Sequence, residues 1–217
     1  MKYSKSLFLI SIILIAGFTC IRIAHAAKAK PVDMDLTPQE RAHLAFYVYA
    51  DFKSPRNHYY PTGWMGDTRD LNLNQAYSKV VHSGKTSMRV QYTPRGNEKW
   101  AGIFWQHPAN NWGDKAGGHD LSKATYLTFW ARGEFGNEVI GEIKIGGIKG
   151  DYDEWGDTGT AVKKNIKLTK EWKLYHVDLR KVDTSRIVGG FCFSVNKKQN
   201  PRGCTFYLDE IRYEMNR

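Results

Sequence analysis

The chain has 217 residues, 13% of them aromatic, and sets 32 Lys and Arg against 22 Asp and Glu. That length suits one domain with a real buried core. No block of one charge sign is long enough to mark a basic tail, so the excess of positive charge is spread rather than concentrated.

The N-terminus reads as an export signal. Lys2 and Lys5 precede an apolar run from Leu7 to Phe18, and Ala24-His25-Ala26 places small residues where a signal peptidase reads. The run is too short to span a bilayer as a helix, which needs about 20 residues. Residues 1–26 carry three basic and no acidic side chains, so the remainder is +7. Export argues against a nucleic-acid partner and favours an acidic polysaccharide or an anionic envelope surface. A secreted or periplasmic location is expected, with no transmembrane segment after cleavage.

Residues 27–43 form a lead rich in Ala, Lys and Pro, in which Thr37-Pro38-Gln39-Glu40 has the form of a capping box for one short helical turn. From 44 to 217 the signals are those of strands. Phe46 to Tyr49, Ser87 to Tyr92, Gly102 to Trp105, Tyr126 to Trp130 and Val139 to Ile145 are aromatic, β-branched or alternating. Trp172 to Val177, Ile187-Val188, Phe191 to Val195 and Thr205 to Tyr213 follow. Gly, Pro, Asn and Asp clusters separate them, and no long stretch has helical periodicity. Many short strands at this spacing predict an all-β sandwich or barrel. In 139–145 the alternation predicts Val139, Gly141, Ile143 and Ile145 on one face, with Ile140, Glu142 and Lys144 on the other.

Aromatic and polar residues interleave between Asn57 and Trp112. Tyr60, Trp64, Trp105-Gln106-His107 and Asn110-Asn111-Trp112 supply flat rings for the C–H faces of a sugar and polar groups for its hydroxyls. Trp64, Trp112 and Trp155 sit in turn-rich sequence, where core packing explains an aromatic least well. Trp100, Trp130 and Trp172 are read as core. Ser83-Gly84-Lys85-Thr86 ends like a phosphate loop but has Lys79 where the first glycine belongs. Asp151 to Asp157 lacks the closing glutamate of an EF-hand, having Val162 at that place. No zinc-protease or nucleophile-elbow motif occurs. A glycosidase or lyase needs facing carboxylates, for which Glu134, Glu142, Glu154 and Asp157 are candidates, with His107 as a base. Cys192 and Cys204 form an even pair in an exported chain, so a disulfide is expected, though spacing leaves its geometry open.

Three runs in order, His82 to Val90, Gly118 to Gly133 and Thr205 to Ile211, resemble carbohydrate-binding modules with the galactose-binding-like jelly-roll fold. The resemblance implies two antiparallel sheets and a polysaccharide or oligosaccharide ligand on the concave face or in edge loops. Strand residues Arg132, Glu142, Lys144 and Asn196 would join the aromatic set. It also implies a structural calcium near the first and last strands, at Asp51 and Asp209. The expected function is non-catalytic carbohydrate binding. The alternatives are a jelly-roll glycan lyase or hydrolase, and a structural cell-envelope interaction protein.

Overall fold

A computed structural model describes residues 45–150 and 155–216. The expected leader 1–26, the lead 27–43 with its capping box, and residues 151–154 lie outside the described residues. Among the described residues no helix is long and apolar enough to cross a membrane. The described chain is an all-β sandwich of two antiparallel sheets, as alternation predicts. Its one helical element among those residues is a three-residue 3-10 turn, Thr68–Asp70.

The six-stranded sheet runs in the order β3 (Leu71–Tyr77), β4 (Ser87–Tyr92), β11 (Cys204–Met215), β6 (Ala124–Gly133) and β9 (Lys173–Asp178). The first strand, β1 (Phe46–Tyr49), pairs with the C-terminal half of β11. The five-stranded sheet runs β2 (Tyr60–Gly66), β5 (Trp100–Gln106), β10 (Gly189–Asn196), β7 (Val139–Gly146) and β8 (Thr160–Lys167). Successive side chains on a strand point to opposite faces, so each sheet has one inward and one outward set. Ala101, Ile103 and Trp105 of β5 meet Phe191, Phe193 and Val195 of β10 and Leu127, Phe129 and Ala131 of β6 in the core between the sheets.

Strands β2, β3 and β8 are absent from the sequence-based expectation. Tyr60-Pro61-Thr62-Gly63-Trp64-Met65-Gly66 looks like a turn because it holds Pro and two Gly. It forms an edge strand, where a missing N–H is tolerated. β8 is an edge as well, and its Lys163, Lys164 and Lys167 discourage further pairing. In β7 the simple alternation fails at its start. Ile140 is buried together with Ile143 and Ile145, although the register to β8 is constant, and Asn165, across from Gly141, has φ 55°.

The two ends of the fold are tied through the segment 82–86. Asp209 on β11 accepts the amides of His82 and Ser83 at 2.9 and 3.2 Å and that of Glu210 at 2.9 Å. Asp51 accepts Lys85 N at 2.9 Å, Thr86 N at 2.7 Å and the Thr86 hydroxyl at 3.0 Å. Gly84 has φ +69°, and a Cβ there would fall 2.3 Å from Asp51 Oδ2. These carboxylates face backbone N–H groups, and no group of three His, Cys, Asp or Glu side chains fit to hold a metal occurs among the described residues. The amides of 82–86 thus join Asp51 to Asp209.

Cys192 and Cys204 are free thiols, which corrects the expected disulfide. Cys192 lies on the outer face of the five-stranded sheet, packed with Phe104, Ile148 and Val188. Cys204 packs on the core between the sheets. A sheet separates them, which chain spacing alone cannot reveal.

Candidate functional site

The outer face of the five-stranded sheet gathers most of the expected residues. Along β5 the outward set is Trp100, Gly102, Phe104 and Gln106. Beside it on β2 lies Gly63, opposite Phe104, while Gly66, opposite Ala101, ends the strand at φ 67°. A Cβ at Gly63 would stand 2.7 Å from Phe104 Cβ and 3.0 Å from Trp112 Cζ2. One at Gly66 would meet the Trp100 carbonyl at 2.5 Å and its indole at 3.0 Å. Each indole is thus seated close to a glycine of β2.

Trp112 is 44% exposed and meets the Phe104 ring edge-on at 6.1 Å. Its loop is held from below. Gln106 is fully buried and donates from Nε2 to Asn111 O at 2.7 Å. Gln106 Oε1 accepts the Thr62 hydroxyl at 2.8 Å, and Thr62 Oγ1 accepts Asn110 N at 2.8 Å. Asn111, also fully buried, donates to Lys115 O at 2.9 Å and accepts Gly113 N at 2.9 Å. Buried amides need such partners, and with them satisfied the loop has one conformation. Gln106 and Asn111 thus position the ring and do not face solvent. Asn110 at the loop tip is exposed at φ 57°. Tyr60, opposite Gln106 across the β2–β5 ladder, is 51% exposed.

The β7–β8 side of the face is polar. Glu142 pairs with Lys164 at 3.7 Å, and the Lys144 ammonium lies 5.6 Å from the centre of the Phe104 ring. Glu142, Lys144, Ile148, Asp157 and Val162 line a cavity of about 420 Å³. Asp157 accepts Ile148 N at 2.6 Å and Gly189 N at 3.1 Å, and also holds Val188 N. Burial raises its carboxyl above the ordinary value against these bonds. Asn196 bonds Gln199, which in turn reaches Asn165 on β8. The face therefore carries aromatic rings on one side and amide and charged groups on the other.

Four expected site residues lie elsewhere. Trp105 is 1% exposed, because its place on β5 shares parity with Ile103 and points inward. Trp64 is on strand β2, not in a loop; its register opposite Ile103 turns it from the outer face, leaving it 40% exposed at the sheet edge. His107 packs against His119 at 4.0 Å, beside Tyr59 and away from the indoles, and desolvation lowers its pKa. Arg132 is on β6 in the other sheet. Trp155 is half-buried next to the undescribed 151–154. Conversely Trp100, expected in the core, belongs to the face; its even spacing from Gly102 and Phe104 was the available signal.

No protein-family model and no curated protein matches the chain. Among solved structures it is similar to a family 30 carbohydrate-binding module, at 18% identity and TM-score 0.53, over 82% of this chain and 90% of that one. The chain has a jelly-roll fold. A family 30 module of the cellulosomal cellulase Cel9D-Cel44B of Clostridium thermocellum matches over 80% of this jelly roll and 97% of that chain, at 18% identity and TM-score 0.48. A family 11 module from Clostridium thermocellum, in complex with a β-1,3-1,4-mixed-linked tetrasaccharide, matches over 75% and 91%, at 16% and 0.48.

Proposed function

We propose that this is an exported, non-catalytic carbohydrate-binding protein that holds a polysaccharide chain on the outer face of its five-stranded sheet. One observation carries the reading. Trp112 is exposed over Phe104 by a loop whose buried amides all serve to fix it, with Trp100 seated alongside on the same strand pair. Rings held rigidly at a surface lose little freedom on stacking, so contact with the apolar face of a sugar is realised as affinity. Glu142, Lys144 and Asn196 supply bonds for hydroxyls across the sheet.

The test is titration of a polysaccharide panel with wild type, Trp112→Ala and Trp100→Ala. Saturable binding in wild type is expected, weakened at least tenfold, about 1.4 kcal/mol, in each variant. Release of new reducing ends from any polymer would replace the non-catalytic reading with an enzymatic one. Wild-type affinity in both variants would remove the site.

A further inference from the structure

The outer face of the six-stranded sheet is not a plain solvated surface. Cross-strand register lines up Asn74, Arg89, Tyr207 and Arg132 on β3, β4, β11 and β6. Neighbouring strands lie about 4.8 Å apart, so the two guanidinium groups flank one phenol ring near the middle of the sheet. The Arg132 guanidinium is 5.7 Å from the Tyr207 ring centre, and that of Arg89 is 5.4 Å from the Tyr77 ring. Tyr77 lies 5.6 Å from Tyr207. Trp172 continues the aromatic surface, 6.5 Å from Tyr207 and 5.8 Å from His82, whose ring stacks on Trp130 at 3.8 Å.

Neither arginine forms a salt bridge among the described residues. Arg89 donates from Nη1 to Gln91, while its Nε is buried without an acceptor. Arg132 Nε reaches only the neighbouring Gly133 carbonyl, at 3.2 Å. The nearby carboxylate, Glu134, accepts the Tyr207 hydroxyl. Gln91 and Thr205 then lead into a cavity of about 630 Å³, with Arg202 and the 79% exposed Phe135 on its wall.

We propose that this face is a second glycan-binding surface, selective for a polysaccharide that bears carboxylates. The partly exposed rings of Tyr77 and Trp172 accept the apolar sides of the sugars, while Tyr207, 2% exposed, underlies the two guanidinium groups. The paired guanidinium forks match a carboxylate with two parallel bonds, which a lysine point charge does not do. The formal charge of +7 beyond residues 1–26 favours approach of such a polymer. The core separates this face from Trp112, so the two surfaces are occupied independently and one molecule can join two chains. The proposal does not rest on the five-stranded face binding anything.

Affinity electrophoresis of the purified protein through gels containing polygalacturonate, alginate or carboxyl-reduced polygalacturonate tests it. Retardation by at least one acidic polymer, and far less by the reduced one, is expected. Arg89→Gln, Arg132→Gln and Trp172→Ala should each weaken it about tenfold with the far-ultraviolet dichroism unchanged. Trp112→Ala should leave it intact. The Lys197→Gln/Lys198→Gln double variant, which removes more charge from an exposed turn, should also leave it intact. Absence of retardation in wild type overturns the proposal. So does equal weakening by the lysine pair, which would mean bulk charge. Loss in Trp112→Ala would assign the acidic polymer to the five-stranded face instead.

Discussion

Trp105 and Trp112 are seven residues apart and meet opposite fates for one reason. Trp105 is on the strand, at a position whose parity with Ala101 and Ile103 sends it into the core. Trp112 is past the strand, on a loop that the Gln106 and Asn111 amides fold back over Phe104. The sequence displays the ring-rich segment clearly. It does not display which side of β5 faces inward until the whole strand, Trp100 to Gln106, is registered against β10. The amides in Gln106 and Asn111 look like sugar ligands in sequence, since a buried structural amide and an exposed one are the same letter. Gly63 has the opposite character, silent in sequence yet decisive in space. A methyl at 63 meets Phe104 and Trp112 within 3.0 Å. Phe104 is fixed inside the sheet, so the Trp112 ring is what gives way. Gly63→Ala is expected to cost about 1–3 kcal/mol of stability by overpacking and to weaken polysaccharide binding about tenfold. Chemical denaturation and titration of the same sample measure both; unchanged affinity would show that Gly63 does not seat the indole.

The elements were readable in proportion to how well their composition fits their place. Buried strands such as β6 and β10 announce themselves, because a strand covered on its inner face and held at the sheet centre needs β-branched and aromatic residues. The edge strands β2 and β8 do not, since Pro, Gly and Lys belong at edges and also in loops. Arg132 was misplaced for a topological reason: which sheet receives β6 is fixed by pairing with β11 and β9, far along the chain. The segment 82–86 shows what its polar residues do once the pairing is known. Burial lifts the Asp209 carboxyl to about 7, with amide bonds from Ser83 and His82 acting the other way. A folded-state value above the unfolded one means the folded protein holds an extra proton between the two. This group's stabilisation is therefore fully present below about 4 and is lost as pH rises through 7. The histidines act with the opposite sign. Desolvation lowers His58, His107 and His119, the last to about 4, so their contribution is lost as pH falls from about 6.5 toward 4. Subtraction separates the two. The pH profile of unfolding free energy in Asp209→Asn should fall less than wild type between pH 4 and 7 and run parallel above pH 8. Parallel curves over the whole range would show that Asp209 does not carry the extra proton.

At the scale of the molecule, the sheets are joined by packing and by loops, with no covalent bridge between Cys192 and Cys204. The sequence suggested one because an exported even pair usually closes, and a disulfide across a turn-rich loop typically adds about 2–4 kcal/mol. The structure removes both the geometry and the reactivity. Burial raises the thiol pKa of Cys192 strongly and that of Cys204 to about 12, so neither is a thiolate at neutral pH. A thiol that stays protonated does not attack a disulfide or an alkylating agent. Iodoacetamide at pH 7.5 should thus leave residues 192 and 204 unmodified in the native protein and label both once denaturant is added. The melting temperature should be the same with and without reductant, and Cys192→Ala should cost stability through lost packing with Phe104 and Val188. A fall in melting temperature of several degrees on reduction, together with native-state protection of the pair as a dithiothreitol-sensitive dimer of sulfurs, would mean that the two sheets are bridged. Cys192 would then have to leave the outer face, and the Phe104 cluster beneath Trp112 would be rebuilt with it.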